Sequence, residues 1–71
     1  MDKELKNHLK LKRLQNGDIT QDELAKKLGV SRQTINAIEN GKFNPSVKLA
    51  LKMAKLFGCP VEEIFELKEE E

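Results

Sequence analysis

The chain has one cysteine, Cys59, so no internal disulfide can form and a reducing, intracellular and cytoplasmic setting is expected. No apolar run approaches the roughly 20 residues of a membrane span. The opening, MDKELKNHLKLKR, has no unbroken apolar stretch of the kind a signal peptide needs. No glycine-flanked run of β-branched residues offers a central strand. There is no internal repeat, low-complexity linker or domain boundary. Residues 1–71 therefore read as one small domain, with a core over 7–66 and an acidic tail over 66–71, and with no second domain to sense a small molecule. Catalytic chemistry also lacks its parts. Ser31 has no adjacent histidine base, no carboxylate pair marks an acid–base site, and no glycine-rich phosphate loop is present. His8 has no cysteine or histidine partner at ligand spacing, so neither a metal nor another cofactor is expected, and the chain does not read as an enzyme.

What is present is charge, placed unevenly. Hydrophobic residues make up 38% and charged residues 35%, a balance that fits a water-soluble globular domain. The net charge is only +1. Residues 6–55, however, carry 11 Lys and Arg against 4 Asp and Glu, whereas residues 56–71 carry six Glu against Lys68. A basic body with an acidic end suits a molecule that turns one face to a polyanion. The plainer alternative is that these charges only solvate helix surfaces.

Punctuation along the chain predicts five short helices, an all-α fold. Asn7 is placed to cap a first helix running to about Gln15, ended by NGD at 16–18. Thr20 and Glu23 form a T-x-x-E capping box, so a second helix begins at Gln21 and closes at Gly29. Ser31 caps the third, which Asn40 and Gly41 stop. Pro45 and Ser46 open the fourth, closed by Gly58, and Pro60 opens a short fifth over PVEEIF. KELK near the start and FELK near the end either pair as a two-stranded ribbon or fray. The expected core is Leu9, Leu24, Ala25, Leu28, Val30, Ile35, Ile38, Leu49, Met53, Phe57, Val61 and Ile64.

Seven positions between Gln21 and Asn40 agree on one geometry. Leu24 and Leu28 share a face of the second helix, and Ile35 and Ile38 share a face of the third. Ala25 allows close approach, Val30 fills the corner, and Gly29 permits a sharp turn. Together they specify a helix-turn-helix, whose second helix protrudes and fits the major groove of B-DNA. The exposed chemistry of that helix agrees. Arg32 can fork onto guanine, Gln33 and Asn36 can pair with adenine, and Ala37 can meet a thymine methyl. Gln21 stands at a helix start that favours a phosphate, and Ser31 and Thr34 crowd the next. Asn40, Lys42 and Asn44 line the following loop, where they can hold the DNA backbone.

TQDELAKKLGVSRQTINAIENGKFNPS, continued by LALKMAKLFGCPVEEIF, resembles the phage repressor and Cro type of helix-turn-helix, the xenobiotic-response-element family of transcriptional regulators. The likeness covers about residues 7–66 and is closest to small stand-alone members. It implies a compact five-helix repressor-like domain, homodimers and two-fold operator DNA. It also implies phosphate binding by Gln21, base reading by Arg32, Gln33, Asn36 and Ala37, and backbone contacts from Asn40 and Lys42. Arg13 matches an arginine that in the family often pairs with the glutamate here numbered Glu39.

Val61, Ile64, Phe65 and Leu67 form an apolar surplus that points to a two-fold interface. Cys59 reads as a buried structural thiol, with an intersubunit disulfide or redox switch as the sharper alternative. The expected function is sequence-specific binding of double-stranded DNA by a homodimeric repressor. The rivals are an antitoxin that also masks a toxin, and a protein-interaction module that no longer binds DNA.

Overall fold

The computed structural model describes residues 5–68. In chain order these form β1 (Leu5–Asn7), α1 (Leu9–Gln15), α2 (Gln21–Leu28), α3 (Arg32–Glu39), α4 (Val47–Phe57), a single 3₁₀ turn (Val61–Glu63) and β2 (Phe65–Leu67). Each helix boundary from Thr20 to Gly58 follows from a local hydrogen bond or a left-handed residue. At α2 the Glu23 N–H donates to Thr20 Oγ1 at 3.0 Å and the Thr20 N–H to Glu23 Oε1 at 2.9 Å, completing the capping box. Ser31 and Ser46 accept from the third residue of α3 and α4, both at 3.1 Å. Gly29 closes α2 at φ 76°. Lysine Nζ of Lys52, on α4, donates to the Leu28 carbonyl at 3.1 Å, placing a cation on the negative end of α2.

The core is Leu9, Leu24, Ala25, Leu28, Ile35, Ile38, Leu49, Met53, Ile64 and Phe65. Three expected members, Val30, Phe57 and Val61, lie at its margin, half-buried. Phe65 takes a place the sequence reading did not assign it, because β2 turns that ring inward at 6% exposure. Cys59 is half-buried rather than buried. Its N–H donates to the Ala54 carbonyl at 3.1 Å and helps end α4.

Of the two fates open to the chain ends, pairing is the one observed. β1 and β2 run antiparallel with Leu5 opposite Leu67, Lys6 opposite Glu66 and Asn7 opposite Phe65. The His8 N–H extends the contact to the Ile64 carbonyl at 2.7 Å. His8 Nε2 donates to Glu66 Oε2 at 2.8 Å, since a carboxylate can only accept. That bond, followed by the charge of Lys6, holds the Glu66 carboxyl below the usual carboxylate range.

The ribbon accounts for two departures from the expected boundaries. Asn7 is the last residue of β1 and not the cap residue of α1; His8 stands at the cap position, and its side chain makes no capping bond. Asn7 Oδ1 still accepts from the Leu9 N–H, at 3.2 Å, from one residue further back. The fifth helix is reduced to the 3₁₀ turn because Phe65 is drawn into β2. Residues 3 and 4 of KELK and the glutamates at 69–71 lie outside the described residues. Among the described residues no helix is long and apolar enough to cross a membrane.

Candidate nucleic-acid interface

The local sequence sets α3 where its outer face is free of core contacts. Ile35 and Ile38 are buried at 0% and 1% exposure, so the helix has one apolar stripe and turns its other residues outward. Arg32 and Gln33, in its first turn, are exposed, and Ala37, one turn on, is half-buried. The helix is eight residues long, and an α-helix with its side chains is about 10–12 Å across, which matches the width of the B-DNA major groove.

The candidates for backbone contact lie around it. Gln21 opens α2 and is half-buried; Lys42 and Asn44 are exposed in the loop after α3. Ser31 and Thr34 bond each other, hydroxyl to hydroxyl, at 2.9 Å, in addition to the Ser31 cap. Phe43 stands between Lys42 and Asn44 at 50% exposure, an apolar ring among polar neighbours that the sequence reading passed over. Its only signal was an aromatic residue in an otherwise polar loop.

Behind this surface lies a buried ion pair. Arg13 Nε donates to Glu39 Oε2 at 2.7 Å and Arg13 Nη2 to Glu39 Oε1 at 3.0 Å, a two-pronged contact that joins α1 to the end of α3. The third prong, Nη1, donates to the Ile19 carbonyl at 2.9 Å. The pairing implied by the resemblance is thus observed. The connection from α1 to α2 reaches it through two successive residues of positive φ, Gly17 at 93° and Asp18 at 55°. The bond to Glu39 raises the Arg13 guanidinium further above its ordinary value, against the effect of burial. Burial acts to raise the Glu39 carboxyl. The hydrogen bonds from Arg13 and Gln21, with the charges of Arg13 and Lys10, outweigh it and leave the group below its ordinary value.

The ion pair continues toward the surface through three amides. Gln21 Nε2 donates to Glu39 Oε1 at 3.0 Å. Asn36 Nδ2 donates to Gln21 Oε1 at 3.4 Å, and Asn40 Nδ2 donates to Asn36 Oδ1 at 2.7 Å. Sequence reasoning placed these residues on the interface but did not connect them. The one available signal was the four-residue spacing of Asn36 and Asn40, which puts them one turn apart on a helix.

Of the four residues expected at a subunit interface, Ile64 and Phe65 belong to the core, at 0% and 6% exposure. Val61 is half-buried, and Leu67 is 73% exposed.

Comparison with known proteins agrees with this geometry. A helix-turn-helix family profile matches residues 9–64. An HTH-type transcriptional regulator of Methanocaldococcus jannaschii is 57% identical over 67 residues, covering 94% of this chain and 100% of that one. The cryptic phage CTXphi transcriptional repressor RstR of Vibrio cholerae is 36% identical over 47 residues, 66% of this chain and 42% of the repressor. The crystal structure of a proposed DNA-binding protein from Bacteroides fragilis superposes with a TM-score of 0.75 at 26% identity, covering 87% of this chain and 98% of that one. With two capped helices set by Gly29 around Ile35 and Ile38, and with these matches in sequence and shape, the chain belongs to the helix-turn-helix family of transcriptional regulators.

Proposed function

We propose that the protein is a cytoplasmic repressor that binds double-stranded DNA as a homodimer, without catalytic activity, by setting α3 of each protomer into the major groove. The observation that carries this reading is the pairing of an exposed Arg32 and Gln33 on the first turn of α3 with an apolar face anchored by Ile35 and Ile38. Arg32 forks onto a guanine, Gln33 pairs with an adenine, and Ala37 lies against a thymine methyl. Gln21, Ser31, Thr34, Asn40, Lys42 and Asn44 hold the sugar-phosphate backbone and fix the register without reading sequence. Exposed lysines supply the salt-dependent part of the affinity. Repression follows from occupancy, by covering a promoter that overlaps the operator.

Dimerisation would use Leu67 and the part of Val61 left uncovered. Two α3 helices would then lie about 34 Å apart, one turn of B-DNA, and meet the half-sites of a palindrome. The protomer's extents, 37 × 23 × 20 Å, are on the scale of that spacing.

Selection of duplexes from a random pool tests the reading, with affinities then measured for the enriched site and its single-base-pair variants. Arg32→Ala should cost about 1–3 kcal/mol on the enriched site and relax preference at one G·C pair. Gln21→Ala should weaken all duplexes alike. A pool that emerges unenriched at low salt, or an Arg32→Ala loss that is equal on enriched and random DNA, would contradict the assignment.

A further inference from the structure

The amides between Glu39 and the protein surface have a fixed direction. An ionised carboxylate only accepts hydrogen bonds, so Gln21 must turn one N–H of its NH2 group to Glu39, which leaves the second N–H for a phosphate and its carbonyl oxygen facing away from the carboxylate. That oxygen receives the NH2 of Asn36 at 3.4 Å, and the Asn36 carbonyl in turn receives the NH2 of Asn40 at 2.7 Å. Glu39 is itself held by the fork of Arg13. The buried charge thereby orients three side chains in succession, the last of them exposed at the end of α3.

Both ends of the Asn36 amide are engaged in this series. Bidentate pairing with adenine N6 and N7 would need the same NH2 and carbonyl turned together toward a base edge. That turn is opposed by the 2.7 Å bond to Asn40 and the longer one to Gln21, which hold the amide where those two partners set it. Gln21 begins α2 and Asn40 follows α3, so Asn36 lies between the two ends of the motif. We propose that Asn36 is a positioning residue and not a base reader: it ties Gln21 and Asn40 into one frame, so that the DNA backbone is gripped at a set spacing while Arg32 and Gln33 discriminate bases. This rests on the function proposed above, and it assigns Asn36 a role different from the one its place on α3 first indicates.

The test uses the full chain and the duplex enriched from a random pool by the native protein, together with all its single-base-pair variants. Thermal unfolding of each variant protein confirms that it folds. Asn36→Ala should weaken binding about 5- to 10-fold, by the same factor on every duplex, with the pattern of base preference unchanged. In a Gln21→Ala/Asn40→Ala background, where the frame has lost both ends, adding Asn36→Ala should cost nothing more. A residue that merely supported the helix would still lower affinity in that background. Relaxed preference at one base pair, a further loss in the double-variant background, or no loss at all from Asn36→Ala would each overturn the inference while leaving the proposed function intact. Failure of the native protein to enrich any duplex overturns that function and the inference with it.

Discussion

Arg13 lies in the interior because three acceptors meet it there. Both Glu39 oxygens and the Ile19 carbonyl take its donors, and the side chains of the ion pair are only 9% and 8% exposed. Such a pair adds little over an apolar replacement, but breaking it leaves an uncompensated charge in low dielectric. Arg13→Met alone should therefore destabilise the domain by about 3–5 kcal/mol, while Arg13→Met with Glu39→Leu should recover most of that in denaturant unfolding. The pH dependence has a definite sign. Glu39 is held below its ordinary value when folded, so its contribution is present above the unfolded-state pKa of about 4.3 and is lost as the pH falls through the lower folded value. The melting temperature should drop on acidification below that point, and the double variant should show a shallower acid limb. An identical acid limb in both proteins would remove Glu39 from the account.

At the level of elements, the turn between α2 and α3 depends on one backbone conformation. Gly29 sits at φ 76°, and a Cβ built there meets nothing within 4 Å. The cost of a side chain is thus conformational, not steric. Gly29→Ala should lose about 1–2 kcal/mol, and Gly29→Asn, which tolerates the left-handed region better, should lose less. Equal losses in denaturant unfolding would point to a packing role instead. This turn was legible in the sequence, because capping and glycine chemistry are local: Thr20, Ser31, Ser46, Gly29 and Gly58 all act within a few residues of their own positions. The candidate reading face was legible for the same reason, since Arg32 and Gln33 fall on the side of α3 opposite Ile35 and Ile38. The boundaries that moved are those decided at a distance. Asn7 gave up the helix cap, and Phe65 left the fifth helix, because the two strands pair across the length of the chain. No local signal ranks that pairing above a frayed end. The orientation of Asn36 was hidden likewise, because it depends on a carboxylate reached through Gln21.

On the scale of the whole molecule, the core takes in Ile64 and Phe65 and leaves Leu67 outside at 73% exposure. The apolar surplus expected at a subunit interface is therefore smaller than the sequence implied, and Leu67 is its clearest remaining member. Leu67→Asp should leave the melting temperature of a dilute sample within a few degrees while converting the proposed dimer to monomer in sedimentation equilibrium. It should also weaken binding to a two-half-site operator far more than to a single half-site. A native protein that sediments as a dimer and keeps doing so after the change would remove Leu67 from the proposed contact, and a native protein that sediments as a monomer would overturn the dimer itself.

The ribbon that joins Leu5–Asn7 to Phe65–Leu67 also makes the finished fold depend on a contact between residues far apart in the chain. Leu9, Met53 and Ile64 are all fully buried in one core, so that core is incomplete without the segment that leads into β2. Four helices and the turn between α2 and α3 lie between the two strands in the chain. A chain cut short of Ile64 would therefore carry a complete α3 on an unfinished body.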